Sequence, residues 1–230
     1  MAVVCSTFFG AVLAALIERI AYQPLLDKGV KRIYLLIAGL GISIIGENLI
    51  VVMIDGRFHA YKTSLSAMPV SILGASIGVV DLIILVASAI ALLIVQFLIR
   101  KTRVGLAIRG AAFDLTTASI MGINVRQLIL IVFIIAGSMA GLSGVFLGIK
   151  YTAYPTMGNL TNKAFISAVV GGLGSMPGAV VGALLLGVLE TMTSAYVSSA
   201  LRNLFAYALL IVILLIKPTG LMGKSMEDKA

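Results

Sequence analysis

Charge is what this sequence has least of: only 11% of its 230 residues are Asp, Glu, Lys or Arg, against roughly 25% in a soluble domain. It also has a single cysteine, Cys5, and a single histidine, His59. One thiol builds no disulfide framework, and one of each builds no His/Cys metal site. A membrane enzyme would need a catalytic constellation, and this inventory, without paired carboxylates inside the apolar runs, leaves little to assemble one from. No Gly-rich phosphate loop followed by Lys-Ser or Lys-Thr is present, so any energy from nucleotide hydrolysis has to enter from another subunit. Acids are scarcer than bases, nine to seventeen. The net +8 is nevertheless spread through short connecting segments without aromatic neighbours, which argues against nucleic-acid binding.

What fills the chain is apolar: 60% hydrophobic residues and a mean hydropathy of +1.15. This is the composition of a polytopic membrane protein. Windows of about 20 apolar residues predict spans at about 2–17, 33–54, 82–99, 128–149 and 203–216, with a broken one over 163–190. The first run starts at the initiator Met and lacks the basic n-region and small-residue cleavage site of a secretory signal. It reads as a true span entered abruptly, with upstream sequence expected before it. The expected fold is an all-α integral membrane helical bundle, one transmembrane domain over residues 1–230.

Lys and Arg set the orientation. Segments 18–32, 100–127 and the tail from Lys217 hold twelve of the seventeen basic residues, which puts all three on the cytoplasmic side. Segments 55–81, 150–162 and 191–202 are then external. This makes a demand on 163–190, which must leave and return to the same side. A Gly-Gly-Leu-Gly-Ser-Met-Pro-Gly break at 171–178 divides that region, and the 12 residues after it make roughly 18 Å of helix, about half the hydrocarbon core. The expectation is a re-entrant or broken pair of half-helices meeting near the midplane, where irregular backbone is tolerated only if packed in protein or lining a cavity. The rival is one glycine-rich helix kinked at Pro177. On the re-entrant reading Gly171, Gly172, Gly174, Ser175 and Gly178 are candidate pathway residues, the backbone N–H groups at 175–178 being suited to a carboxylate.

The second interruption of the apolar pattern is the cytoplasmic segment 105–129. Leu106, Phe113 and Ile120 recur at seven-residue spacing, while Arg109, Thr116 and Ser119 fall on another face. Gly122 suits a left-handed C-terminal cap. The segment reads as a short amphipathic helix along the membrane surface, either a docking element for a soluble partner or an interfacial anchor. Within the spans, Glu47 and Asn48 stand out, because an ionisable group at the bilayer centre costs on the order of 3 kcal/mol and turns toward protein or water. Glu47 lines a pathway, with a place for an ammonium group, or else it lies near enough to Asp55 and the outer interface to be hydrated. Gly137, Gly141, Gly144 and Gly148 predict close packing against another helix, here one of a partner subunit. Glu18 and Arg19 predict a local ion pair.

Six strings, ERIAYQPL at 18–25, LGISIIGENL at 40–49, GLAIRGAAFD through MGINV at 105–125, AGSMAGLSGVFLG at 136–148, GGLGSMPGAVVGALLLGVLE at 171–190 and KPTGLMGK at 217–224, stand in one order along essentially the whole chain. Together they resemble the branched-chain amino acid ABC-transporter permease family, its LivH-type subunit above all. The resemblance implies a subunit of a bacterial or archaeal cytoplasmic (inner) membrane importer. It would translocate branched-chain, hydrophobic amino acids by alternating access and do no covalent chemistry. It implies ATP-binding cassette ATPase subunits that use the ATP, a second, LivM-like permease subunit, and an extracytoplasmic substrate-binding protein, with no cofactor bound by this chain. In such permeases 105–122 corresponds to the coupling loop seated in the ATPase, so Arg109, Phe113, Asp114, Ile120 and Gly122 become the coupling residues. Two departures stand out: family members usually carry two further helices before the opening one, and charged residues where this chain reads LTTASI. The alternative class is a secondary transporter or channel for a small polar solute.

Overall fold

The computed structural model describes residues 1–30, 32–54, 69–72, 75–151 and 154–223. Lys31, the segment 55–68 with Arg57, His59 and Lys62, and the tail lysines Lys224 and Lys229 lie outside the described residues. The described chain is helical apart from one two-stranded ribbon. It divides into two compact units, Met1–Pro155 and Thr156–Ala230.

In the first unit, α1 (Ala2–Ile17) runs through a π-helical turn at Glu18–Tyr22 into α2 (Gln23–Asp27), and α3 covers Arg32–Ile54. The strands β1 (Pro69–Ile72) and β2 (Ala75–Gly78) pair antiparallel, Pro69 opposite Gly78, and lead into α4 (Val79–Lys101). Asp81 in the first turn of α4 and Arg100 and Lys101 in its last complement the helix dipole. Then come α5 (Arg103–Phe113), α6 (Leu115–Ile120) and α7 (Val125–Tyr151).

The seam between α1 and α7 is backbone against backbone. A Cβ at Gly10 would strike the Gly137 carbonyl, one at Gly137 would strike Ala14, and one at Gly141 would strike the Ser6 carbonyl. Ser6 Oγ donates to the Gly141 carbonyl at 2.7 Å. The pairings run in opposite directions along the two helices, so α1 and α7 are antiparallel. Lipid tails are as apolar as Leu, so this contact rests on close van der Waals approach and hydrogen bonding, which only small residues permit. The glycine stripe therefore packs within the chain: Gly137 and Gly141 meet α1, not a partner subunit, while at Gly144 the space is open.

In the second unit a 3₁₀ turn at Pro155–Gly158 leads into α8 (Asn159–Gly171), followed by α9 (Met176–Tyr196), a 3₁₀ turn at Ser199–Leu201, and α10 (Arg202–Ile216). Ile166, Val170, Leu186 and Ala206 form the core, with Leu209, Leu210, Ile213 and Leu221 against it. Ser167 and Gly171 of α8 face Gly182 and Gly178 of α9, so the two helices form an antiparallel hairpin whose turn is 172–175. Most large apolar side chains elsewhere are exposed, Ile44, Leu93 and Leu184 among them, which is the surface a lipid solvent requires. Among the described residues six stretches are long and apolar enough to cross: Ala2–Asp27, Ile33–Met53, Val79–Lys101, Val125–Tyr151, Met176–Tyr196 and Ser199–Ile216.

The break at 171–178 is present, between the end of α8 and the start of α9. α9 extends to Tyr196, 21 residues or roughly 31 Å, where an arm ending near 190 was expected, and it is long and apolar enough to cross by itself. The chain after α10 reaches this break: Leu221 N–H donates to the Val170 carbonyl and Met222 N–H to Gly171, both at 2.9 Å. These bonds satisfy carbonyls left orphaned at the C-terminus of α8. The demand that 163–190 leave and return to one side is met by a hairpin whose turn is level with the lysine-bearing end of the chain.

Candidate functional site

The cytoplasmic segment between α4 and α7 is two short helices, where a single amphipathic helix was expected. Thr102 starts the first: its Oγ1 accepts from Gly105 N–H at 3.1 Å and donates to the Leu98 carbonyl at 2.6 Å. Gly105 lies so close to the end of α4 that a Cβ would strike the Ile99 and Leu98 carbonyls. Arg109, expected at a partner's surface, instead folds back and donates from Nη1 to the Ile99 carbonyl. It supports a carbonyl that the end of α4 leaves open.

Asp114 divides the pair. Its backbone is extended (φ −153°, ψ 119°), which no helix accommodates, and its carboxylate caps α6. Oδ1 accepts from Thr116 N–H at 2.9 Å, and Oδ2 accepts from the Thr117 hydroxyl at 2.5 Å and Thr117 N–H at 3.3 Å. The Thr117 hydroxyl first, then the two amides, hold this carboxyl below its usual 3.8. LTTASI is thus not an electrostatically blank stretch: its threonines supply the donors that make Asp114 a cap. At the far end Gly122 takes φ 84°. Gly122 N–H donates to Ser119 and Ile123 N–H to Ala118, the two bonds of a Schellman cap, as the sequence predicted.

The two helices are fastened from below by Ala111, Ala118 and Leu128, with Ala107, Ile108 and Ile123 around them. The seven-residue series faces the other way. Leu106, Phe113 and Ile120 are 64%, 68% and 80% exposed, and Met121 extends that surface. Small residues anchor the segment and large ones project, the reverse of a packed core helix.

The candidate pathway residues fall into both units. In α3, Glu47 is half-buried and in no ion pair among the described residues. Asn48 turns back on its own helix, donating to the Ile44 carbonyl at 2.8 Å. In the hairpin, Gly171, Gly172 and Gly178 are buried by helix and tail backbone. Gly172 (φ 109°) and Gly174 (φ 88°) take turn conformations that side chains resist. Ser175 caps α9, its Oγ accepting from Gly178 N–H at 3.2 Å, so one of the donors offered to a carboxylate is already used. Here the close-packing role of these glycines is the one the geometry displays.

Three polar groups were missed or misread in the sequence. Glu18 does not pair with Arg19: no ion pair among the described residues includes it, and it is 2% exposed in the π-turn. Lys163 of α8 meets Glu190 of α9, Nζ donating to Oε2 at 2.9 Å and lying 2.8 Å from Oε1. Near it in the same unit, Arg202 donates to Ser194 Oγ at 2.8 Å. The 27-residue separation of Lys163 and Glu190 hides the pair until the hairpin is known. At the two ends of the α7 crossing, Asp27 pairs with Arg126 and Asp81 with Lys150, the latter at 2.7 Å.

Residues 1–214 match the family described as branched-chain amino acid transport system, permease component. The chain is 36% identical to the high-affinity branched-chain amino acid transport system permease protein LivH of Escherichia coli strain K12, over 98% of this chain and 76% of that one. It is 35% identical to the corresponding BraD protein of Pseudomonas aeruginosa, over 93% of this chain and 71% of its relative. A probable LivH of Methanocaldococcus jannaschii is 26% identical over 94% of this chain and 72% of its own. No solved structure matches. A match that runs through both units and takes in the coupling segment and the hairpin means that the chain belongs to the branched-chain amino acid transport system permease family.

Proposed function

We propose that this chain is the membrane-spanning permease subunit of an ABC importer for branched-chain, hydrophobic amino acids, working by alternating access in a multi-pass cytoplasmic membrane assembly. The observation that carries the mechanism is the α5–α6 segment. Its Asp114 and Gly122 caps and its alanine underside hold a rigid platform, and Leu106, Phe113, Ile120 and Met121 stand exposed on it. A platform joined directly to the ends of α4 and α7 passes a push from a soluble subunit into two crossing helices. ATP is used by separate ATP-binding cassette subunits, a second permease subunit completes the pathway, and an extracytoplasmic binding protein delivers substrate. This chain itself does no covalent chemistry and binds no cofactor.

The test is co-purification with the ATPase subunits and substrate-dependent ATP hydrolysis in liposomes. Phe113→Asp or Ile120→Asp is expected to leave the permease in the membrane but to lower substrate-stimulated hydrolysis at least tenfold. Unchanged hydrolysis and unchanged co-purification in both variants would reduce the segment to an interfacial anchor. A secondary transporter would instead move substrate with no ATPase present.

A further inference from the structure

Glu18 is the most deeply buried ionisable side chain described in the first unit, and its Oε1 has no hydrogen-bond partner. A carboxylate removed from water without a partner costs several kcal/mol, and π-turns such as Glu18–Tyr22 occur often at functional sites. Glu18 is also the one buried residue lining a cleft of about 270 Å³. Arg126 stands in the same lining and is held by Asp27, while Leu26, Leu115 and Val125 supply apolar wall. Arg126 has five N–H donors, more than one carboxylate consumes. The volume is at the small end of ligand pockets, near 300 Å³, which suits an amino acid and not a peptide or nucleotide.

The cleft therefore offers a buried carboxylate that acts electrostatically on Arg126 but has its Oε1 free of any hydrogen bond, a guanidinium for a carboxylate and an aliphatic wall for a side chain. We propose that it is a cytoplasmic-side subsite for the transported amino acid, with Glu18 receiving the α-ammonium and Arg126 the α-carboxylate before release. This rests on the importer reading above and adds to it a substrate-contacting residue outside the hairpin and α3. Position supports it: Glu18 lies in the half of the Ala2–Asp27 stretch that leads to the basic segment read as cytoplasmic, and Leu115 belongs to α6. One wall of the cleft is thus part of the segment that the ATPase would move, and its displacement would open the subsite.

The experiment uses the assembled transporter in phosphatidylglycerol liposomes, which contain no amino-bearing lipid, with ATP in the lumen and the binding protein outside. Initial uptake of labelled leucine is measured against leucine or N-acetyl-leucine preloaded in the lumen. Luminal leucine is expected to inhibit the wild type, N-acetyl-leucine to be without effect, and Glu18→Gln to weaken leucine inhibition at least tenfold, with Glu18→Asp intermediate. Inhibition equal in wild type and Glu18→Gln, or equal for both compounds, or absent in the wild type, overturns the subsite while leaving the importer intact. No leucine uptake by the wild type overturns the importer reading, and the subsite with it. Should Glu18→Gln fail to assemble, Leu115→Cys in a Cys5→Ser background decides: leucine, but not N-acetyl-leucine, is expected to protect that thiol from alkylation, and no protection refutes the proposal.

Discussion

At the scale of single residues, local chemistry overrides the pattern in which a residue was first read. Asp114 and Arg109 were both expected at a partner's surface, and both are occupied in holding the segment together. The carboxyl of Asp114 lies below its ordinary 3.8 when folded. Its cap is thus complete above the unfolded value and is lost as pH falls through the lower, folded one. At neutral pH Asp114→Ala is therefore expected to speed hydrogen exchange at the Thr116 and Thr117 amides, with Asp114→Asn close to wild type, since Asn also caps helices. Equal protection in the alanine variant would show that α6 does not depend on this cap. Gly122 was legible in advance because its conformation follows from neighbours in sequence. Glu18 was not, because the π-turn that buries it away from Arg19 has no signature in the residues beside it.

Between elements, the decisive quantity is how closely backbones approach. Gly10, Gly137 and Gly141 leave no room for a side chain in the α1–α7 seam. Gly141→Leu is expected to separate the two helices and cost about 3 kcal/mol or more, within or beyond the usual penalty for overpacking. Thermal denaturation in detergent measures it, and an unchanged midpoint for Gly141→Leu would show that the seam accommodates a side chain. The Lys163–Glu190 pair in the hairpin behaves differently, with side chains only 30% and 17% exposed. Lys163→Met alone is expected to cost up to ~3 kcal/mol by leaving Glu190 uncompensated, and Lys163→Met with Glu190→Leu to recover most of it. Thermal denaturation in detergent measures both, and additive losses would show that the two residues do not interact.

For the whole molecule, the membrane is the solvent and sidedness is the principal unknown. With the hairpin turn level with the chain after α10, a Leu173→Cys thiol is expected to react with an impermeant reagent from the cytoplasmic side and Tyr196→Cys from the outside. A turn at the midplane would leave position 173 unreactive from both sides. The spans, their approximate ends and the existence of a break near Pro177 were all legible in the sequence. Each follows from transfer free energy and charge summed over consecutive residues, and such sums need no knowledge of neighbours in space. The partner of the glycine stripe, the pairing of α8 with α9, the division of the 103–120 segment at Asp114 and the cleft beside Glu18 were decided by tertiary structure alone. Each depends on which helix faces which, and helix pairing in lipid rests on short-range fit between segments far apart in the chain, a property that no local window contains.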